Sequence, residues 1–246
     1  MTVYTHKNGN LLFAGTDGHG VFRSTDDGAT WQPANLGLPD RHVLALALDL
    51  WRDRLYAGTQ AGVFWQDIQS LLEEKPSPWQ PVPGLPPEEI QGIAIHAKSS
   101  TLYVALAAEL YASNDGGDSW VSVGQETLRQ YNAEIQCLAL PSEQKHARAL
   151  YLGTDRGILV SHDGGHTWTW DARNLWTNAL VVEGNRRRVI YAGTSGSGVW
   201  RGTDGASLQS LWIPLGIGLV AALSAASTVL VRTLSKPKEY GKVQAL

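Results

Sequence analysis

An eight-residue motif that occurs three times limits the folds open to this chain more than any other feature. Its pattern is S-x-D-x-G-x-[ST]-W, and its fixed residues are Ser24, Asp26, Gly28 and Trp31, then Ser113, Asp115, Gly117 and Trp120, and finally Ser161, Asp163, Gly165 and Trp168. An aspartate carboxylate accepts hydrogen bonds from main-chain N–H groups across a tight bend, and glycine adopts the positive φ angle that such a bend requires. The motif therefore predicts a turn, after which the tryptophan begins the returning strand and buries its ring.

A second pattern shows that the motif belongs to a longer repeat. The tetrapeptides FAGT, YAGT, YVAL, YLGT and YAGT begin at Phe13, Tyr56, Tyr103, Tyr151 and Tyr191, at spacings of 40 to 48 residues. Segments of alternating large and small apolar residues precede most of them, as at 44–48 and 137–140. Such spacing is typical of propellers and solenoids, and alternation with a period of two indicates buried strands.

We interpret each repeat as four strands and predict an all-β fold, a five-bladed β-propeller of four-stranded antiparallel blades. No helical period separates the strands, which argues against a TIM barrel or a doubly wound sheet. Radial closure of the blades would leave little exposed sheet edge. The second blade lacks the motif, and we expect a short helical insertion at 68–75 there, with Trp79 beginning its last strand. The fifth blade keeps Asp204 and Gly205 but lacks the tryptophan.

The end of the chain has a different composition. Residues 206–231 carry no charge, and the twenty residues 212–231 would span about 30 Å as a helix, the thickness of a hydrocarbon core. We therefore predict a propeller domain at 1–206, a transmembrane helix within 207–235 and a short basic tail at 236–246. The alternative, a buried amphipathic helix, would need a polar face that this segment lacks. The small residues Gly218, Ala222 and Ala226 are spaced to let a second helix approach closely.

The signals for orientation in the membrane conflict. Arg232, Lys236, Lys238 and Lys242 follow the apolar segment, which by the positive-inside rule places the C-terminus in the cytoplasm. The N-terminal residues show no signal-peptide pattern that would export the propeller. We predict a single-pass membrane protein with a C-terminal anchor and slightly favour a cytoplasmic propeller.

The three motifs resemble the Asp-box of BNR-type β-propellers, over about residues 1–210. Together with the apolar segment, they make the chain similar to the photosystem II stability and assembly factor family and, more remotely, to the ten-bladed sortilin domain. The assembly factors have seven blades, so five is a departure, and the arginine patch of that family has no residue-by-residue match here. The resemblance implies a non-enzymatic scaffold, an accessory or assembly subunit that docks on a membrane protein complex.

Basic residues are distributed by loop class. The loops between the first and second strands of successive blades would open on one face, and they carry Arg52, Arg54, Lys98, Arg148, Arg186, Arg187 and Arg188. We expect this face to dock on anionic headgroups or on acidic loops of a membrane complex. The alternative is ordinary solvated loop charge.

Other function classes find little support. The net charge of −3 gives no reason to expect nucleic acid as a partner. Sialidases share the Asp-box, so a carbohydrate-binding or sialidase-like glycoside hydrolase propeller is the alternative, yet the arginine motif expected early in such enzymes is absent at Phe22-Arg23-Ser24-Thr25. His162 and His166 share one turn and Cys137 lies in a small-residue register, so we expect exposed turn residues and a buried apolar thiol rather than a metal ligand or a nucleophile. No catalytic residue, cofactor, metal or small-molecule substrate is predicted.

Overall fold

In a computed structural model the chain folds into five four-stranded antiparallel sheets, each formed by consecutive strands. The structure describes residues 2–6, 9–73, 76–141, 148–184, 188–203 and 206–209. Such sheets confirm the predicted all-β class and fit a β-propeller, whose blades are sheets of this kind.

The strands follow the predicted repeat. Sheet 1 contains β1 Thr2–His6, β2 Gly9–Thr16, β3 Gly20–Ser24 and β4 Gln32–Pro33. Sheet 2 contains β5 Val43–Asp49, β6 Arg54–Thr59, β7 Gly62–Asp67 and β8 Gln80–Pro81. Sheet 3 contains β9 Gly92–His96, β10 Thr101–Ala105, β11 Leu110–Ser113 and β12 Val121–Ser122. Sheet 4 contains β13 Ile135–Ala139, β14 Leu150–Thr154, β15 Gly157–Ser161 and β16 Thr169–Arg173. Sheet 5 contains β17 Thr177–Glu183, β18 Val189–Thr194, β19 Gly198–Thr203 and β20 Ala206–Gln209.

The hydrophobic core lies between consecutive sheets, in four clusters. Phe13 packs against sheet 2, Tyr56 against sheet 3, Tyr103 against sheet 4 and Tyr151 against sheet 5. Every residue of the central strands β10 and β14 is buried, because each of these strands has a neighbouring sheet on both faces. The tetrapeptide repeat thus lies in the second strand of each sheet, and it is fully buried in sheets 2, 3 and 4 but not in the outer sheets 1 and 5.

The sequence predicts a closed ring of five blades. The first strands β5, β9, β13 and β17 contact one another in succession. Among the described residues, however, no packing of comparable extent joins sheet 5 to sheet 1. Over the described residues, the five sheets are joined by four interfaces and form an open series, because a closed ring would need a fifth interface.

Two short helices interrupt the strands in the described part of the chain. The predicted insertion in sheet 2 contains a single 3-10 turn, Ser70–Leu72, and Trp79 directly precedes β8 as expected. The helix α1, Gln125–Tyr131, connects sheet 3 to sheet 4 and was not predicted. It is bounded by Gly124 and Asn132, both in the left-handed conformation.

The last described strand, β20, extends to Gln209, three residues beyond the predicted domain boundary. The apolar segment 212–231, with Gly218, Ala222 and Ala226, lies outside the described residues. Within the described part of the chain, no helix has the length and apolar character needed to cross a bilayer.

Candidate functional site

The three motif turns share one hydrogen-bond network. In the turn after β15, the Ser161 hydroxyl donates to Asp163 Oδ1 over 2.8 Å and accepts the Gly165 N–H over 2.8 Å. The Asp163 carboxylate also accepts the main-chain N–H and the hydroxyl of Thr167, over 2.9 and 2.6 Å. The same contacts recur at Ser24, Asp26, Gly28 and Thr30, and at Ser113, Asp115, Gly117 and Ser119. The predicted carboxylate-stabilised turn is therefore present in each copy.

These hydrogen bonds lower the pKa values of the three motif aspartates. The hydroxyl and N–H of Thr30 lower the pKa of Asp26 to about 2. Burial would raise the pKa of Asp163, but the hydrogen bonds from Thr167 and Ser161 outweigh it and lower the pKa to about 2. The hydroxyl of Ser119 lowers the pKa of Asp115 further still. All three carboxylates are ionised at neutral pH, and their lone pairs are used within the turn.

The prediction that all three motif tryptophans are largely buried is correct only for Trp168, which is 2% exposed. Trp120 is half-buried, and Trp31 is 38% exposed. The difference comes from the preceding sheet: Pro83 accepts the indole N–H of Trp120 over 3.0 Å, and Gly124 lies against the indole of Trp168. Among the described residues, no sheet precedes Trp31 in this way.

Those predicted bases that the structure describes lie at one end of the sheets. In a meander of four strands, the connections between strands one and two and between strands three and four share an end, which we call the turn end. Contacts across sheets confirm that the turn ends adjoin: the Trp51 indole N–H donates to the Ala97 carbonyl over 2.8 Å, and Arg52 Nη2 donates to the Asn114 carbonyl over 2.9 Å. The loops of sheets 2 and 3 thus form one continuous surface.

Arg52 joins these two sheets through a buried carboxylate. The side chain of Asp49 is fully buried, and Arg52 Nη1 donates to its Oδ2 over 2.8 Å. Ser100, from the β9–β10 connection, donates its hydroxyl to the same carboxylate over 2.9 Å. Arg52 Nη1 also donates to the Ser100 hydroxyl over 2.7 Å. The Arg52 guanidinium therefore stabilises the contact between sheets 2 and 3, and it also lies at the turn end.

The other predicted bases have different surroundings. The guanidinium of Arg54 stacks 3.7 Å from the ring centroid of Trp65. Arg188 Nη1 donates to the Tyr151 hydroxyl over 3.3 Å. Lys98 and Arg148 are exposed at the turn end. Arg186 and Arg187 lie outside the described residues.

Two apolar residues at the turn end were not identified from the sequence. Leu50 and Trp51, in the β5–β6 connection, are 65% and 74% exposed. Beside them lies a shallow depression of about 300 Å³, lined by Trp51, Arg52, Lys98, Ser99 and Ser100. They follow the alternating apolar residues of β5, so the sequence alone does not distinguish them from core residues. Their exposure depends on how the neighbouring loops pack.

The candidate reactive side chains are His162, His166 and Cys137. Across the described residues, no group of three or more His, Cys, Asp or Glu side chains is placed to hold a metal ion. His166 Nδ1 lies 2.9 Å from the Asp163 carbonyl within its own turn, and His162 Nδ1 lies 3.5 Å from Arg188 Nη1. Burial raises the pKa of the Cys137 thiol to about 12, which disfavours the reactive thiolate.

The arrangement of sheets is similar to that of known crystal structures. An ancestral GH74 enzyme matches with a TM-score of 0.62 and 19% identity, over 81% of this chain and 29% of that one. The GH74 enzyme of Niastella koreensis matches with a TM-score of 0.57 and 15% identity, over 85% of this chain and 30% of that one. The extracellular domain of what is described as a one-component system from B. thetaiotaomicron matches with a TM-score of 0.59 and 15% identity, over 83% of this chain and 27% of that one.

This chain therefore spans less than a third of each of these structures. At such identities the likeness shows the fold alone. Comparison of the sequence with protein-family profiles and with curated protein sequences gave no match.

Proposed function

We propose that the protein is a membrane-tethered, non-enzymatic Asp-box propeller that serves as an accessory or assembly subunit of a membrane protein complex. The observation that carries this proposal is the exposed pair Leu50 and Trp51 at the turn end, next to the exposed Lys98. Large exposed apolar side chains beside a basic group are typical of docking surfaces, where aromatic residues act as anchors. The docked surface would be acidic, because Arg52, Lys98 and Arg148 lie at the same end.

The tether in this proposal is the apolar segment 212–231, and Gly218, Ala222 and Ala226 would form its helix-packing stripe. Deletion of 210–246 tests it, since that cut keeps β20 intact. We expect the full chain to stay in carbonate-washed membranes and the shortened chain to be released in folded form. Retention of the shortened chain would place the membrane contact elsewhere.

Five described carboxyl groups lack the property that a glycosidase acid needs. The pKa is lowered at Asp26, Asp40, Glu109, Asp115 and Asp163. In each case hydrogen bonds donated to the carboxylate outweigh any cost of burial. A glycosidase acid requires the opposite, a raised pKa that keeps the proton available for the leaving group.

The second candidate is a carbohydrate-binding or carbohydrate-hydrolysing propeller. Trp51 favours it, because an exposed indole beside a depression that also presents Ser99 and Lys98 offers a flat apolar face next to polar groups. The similarity of the fold to GH74 enzymes is compatible with this candidate. Both candidates use the same surface, so one pair of variants can separate them.

The test compares Trp51→Ala with Trp176→Ala. Trp176 is a matched control, because it is 52% exposed but lies between β16 and β17, at the opposite end of the sheets. Full-length protein is purified from membranes in mild detergent, and the co-purifying proteins are identified by mass spectrometry. We expect a defined membrane complex with the unaltered chain and with Trp176→Ala, and its loss with Trp51→Ala.

Other results with the same two variants would contradict the proposal. Equal recovery of the complex with both variants would exclude the turn end as the docking surface. Quenching of tryptophan fluorescence by oligosaccharides, abolished only by Trp51→Ala, would instead favour the carbohydrate candidate. Release of reducing sugar by the unaltered chain would show that the propeller is an enzyme.

A further inference from the structure

The four interfaces between sheets are built from equivalent strand positions. Each sheet has a forward face, toward the next sheet along the chain, and a backward face, toward the preceding one. The forward residues on the second strands are Phe13, Tyr56, Tyr103 and Tyr151, and those on the third strands are Val21, Val63, Leu110 and Ile158. The backward residues on the second strands are Leu55 and Ala57, Leu102 and Val104, Leu150 and Leu152, and Ile190 and Ala192. One residue pattern therefore specifies all four interfaces.

Sheet 5 carries the forward half of this pattern. Tyr191 takes the tyrosine position of β18, and Val199 takes the apolar position of β19. Both are half-buried, whereas their equivalents in sheet 4, Tyr151 and Ile158, are 0% exposed. The guanidinium of Arg201 lies 6.0 Å from the ring centroid of Tyr191, on the same face. The forward face of sheet 5 thus has the same residue types as the other interfaces, but its side chains are less buried.

Sheet 1 carries the backward half. Leu12 and Ala14 are half-buried, although the residues at the same two positions are fully buried in all four other sheets. Phe22, opposite Ala14 on β3, is half-buried as well. Trp31, whose counterparts in sheets 3 and 4 are covered by the preceding sheet, is 38% exposed beside Leu12. The backward face of sheet 1 is therefore the complement of the forward face of sheet 5.

We propose that the forward face of sheet 5 in one copy of this chain packs on the backward face of sheet 1 in a second copy. A second copy is the expected partner, because every forward face within the chain packs on a backward face like that of sheet 1. The contact joins two different faces, so it is heterologous, and its repetition yields a ring if the rotation closes or a linear assembly if it does not. It uses sheet faces rather than the turn end and does not depend on the proposed docking function.

The first experiment measures association of the full-length chain in mild detergent by sedimentation velocity over a range of concentrations. We expect the unaltered chain to form oligomers as the concentration rises. Val199→Asp blocks the forward face of sheet 5, and Ala14→Asp blocks the backward face of sheet 1, since a carboxylate in an apolar interface is strongly unfavourable. Each variant alone is expected to remain monomeric.

Mixing the two variants tests that the contact is between different faces. A Val199→Asp chain still has an intact sheet 1, and an Ala14→Asp chain still has an intact sheet 5. An equimolar mixture should therefore form dimers and no larger species. Val121→Asp, at a residue that is 66% exposed on β12, serves as the control and should associate like the unaltered chain.

Several results would overturn the proposal. An unaltered chain that is monomeric at every concentration would show that the two faces meet within one copy or stay apart. Association that persists in both variants would place the contact elsewhere, such as in the segment after residue 209. A mixture that stays monomeric would exclude heterologous packing. Circular dichroism checks that the variants are folded, and Tyr191→Ser with Leu12→Ser provides a milder pair if the aspartates are not tolerated.

Discussion

The hydroxyl group of Tyr56 donates a hydrogen bond of 2.8 Å to the main-chain carbonyl of Gly116, linking β6 of sheet 2 to the motif turn of sheet 3. Both groups are buried from solvent. Tyr56 thereby fixes how the two sheets pack as well as filling the core between them, and burial raises the pKa of its hydroxyl so that it remains a donor. At this interface the repeated tyrosine thus links the strand pattern to the turn motif of the next sheet.

Removal of this hydroxyl should destabilise the protein. We expect Tyr56→Phe to lower the free energy of unfolding by about 1–3 kcal/mol, because the Gly116 carbonyl would stay buried without a donor. Urea denaturation followed by circular dichroism measures the change. Tyr191→Phe is the matched control, since Tyr191 lies on the half-buried face of the last sheet, and its effect should be below about 0.5 kcal/mol. Equal losses in the two variants would contradict the inter-sheet role of Tyr56.

Arg52 should prove essential for stability, and Lys98 should not. Arg52→Ala leaves the fully buried carboxylate of Asp49 without its cation, which we expect to cost about 3–5 kcal/mol of unfolding free energy. Lys98 is exposed, so Lys98→Ala should change the free energy by less than about 0.5 kcal/mol. Denaturant titration of both variants makes the comparison. The double variant Asp49→Asn/Arg52→Ala should regain part of the loss, because no charge is then buried.

The sequence predicted the strands and turns well because their causes are local. In each motif, the serine contacts the aspartate two residues later and the glycine four residues later, so the residues that specify the turn are adjacent in the chain. Alternation along β5 and β13 likewise depends only on neighbours at a spacing of two. The helix α1 escaped prediction because it has seven residues and a single buried one, Leu128, too few to show a helical period.

Features that depend on other sheets could not be predicted in this way. The burial of Trp31 was overestimated because burial of a motif tryptophan requires the preceding sheet, which the motif does not encode. The role of Arg52 depends on Ser100, forty-eight residues later in the chain. Leu50 and Trp51 continue the apolar character of β5, so the sequence pattern does not reveal that they are exposed.

Stability should fall at acidic pH through the motif aspartates. The pKa of Asp163 is lowered from 3.8 to about 2 in the folded chain, so the unfolded chain binds the proton first as the pH falls. The contribution of Asp163 is therefore complete above about pH 4 and is lost as the pH falls toward 2. In Asp163→Asn, the unfolding midpoint in urea should depend less on pH between 4 and 2 than in the unaltered chain.

A second variant checks the cause of this dependence. Thr167→Val removes the hydroxyl that donates to Asp163 over 2.6 Å but leaves the carboxyl group in place. The pKa of Asp163 should rise toward its ordinary value, and NMR titration of the carboxyl carbon would measure it. An unchanged pKa would show that the main-chain N–H of Thr167 and the Ser161 hydroxyl are sufficient to stabilise the carboxylate.

Three equivalent tryptophans offer a graded test of how sheets cover one another. Trp168→Ala should cost about 3–5 kcal/mol, since the ring is 2% exposed and packs against Gly124. Trp31→Ala should cost only about 1–2 kcal/mol, because the ring is 38% exposed and gains less from burial, and Trp120→Ala should fall between the two. Urea denaturation at concentrations low enough to keep the chain monomeric gives the three values. Equal costs would mean that Trp31 is covered as completely as Trp168, and the open series of sheets would then be incorrect.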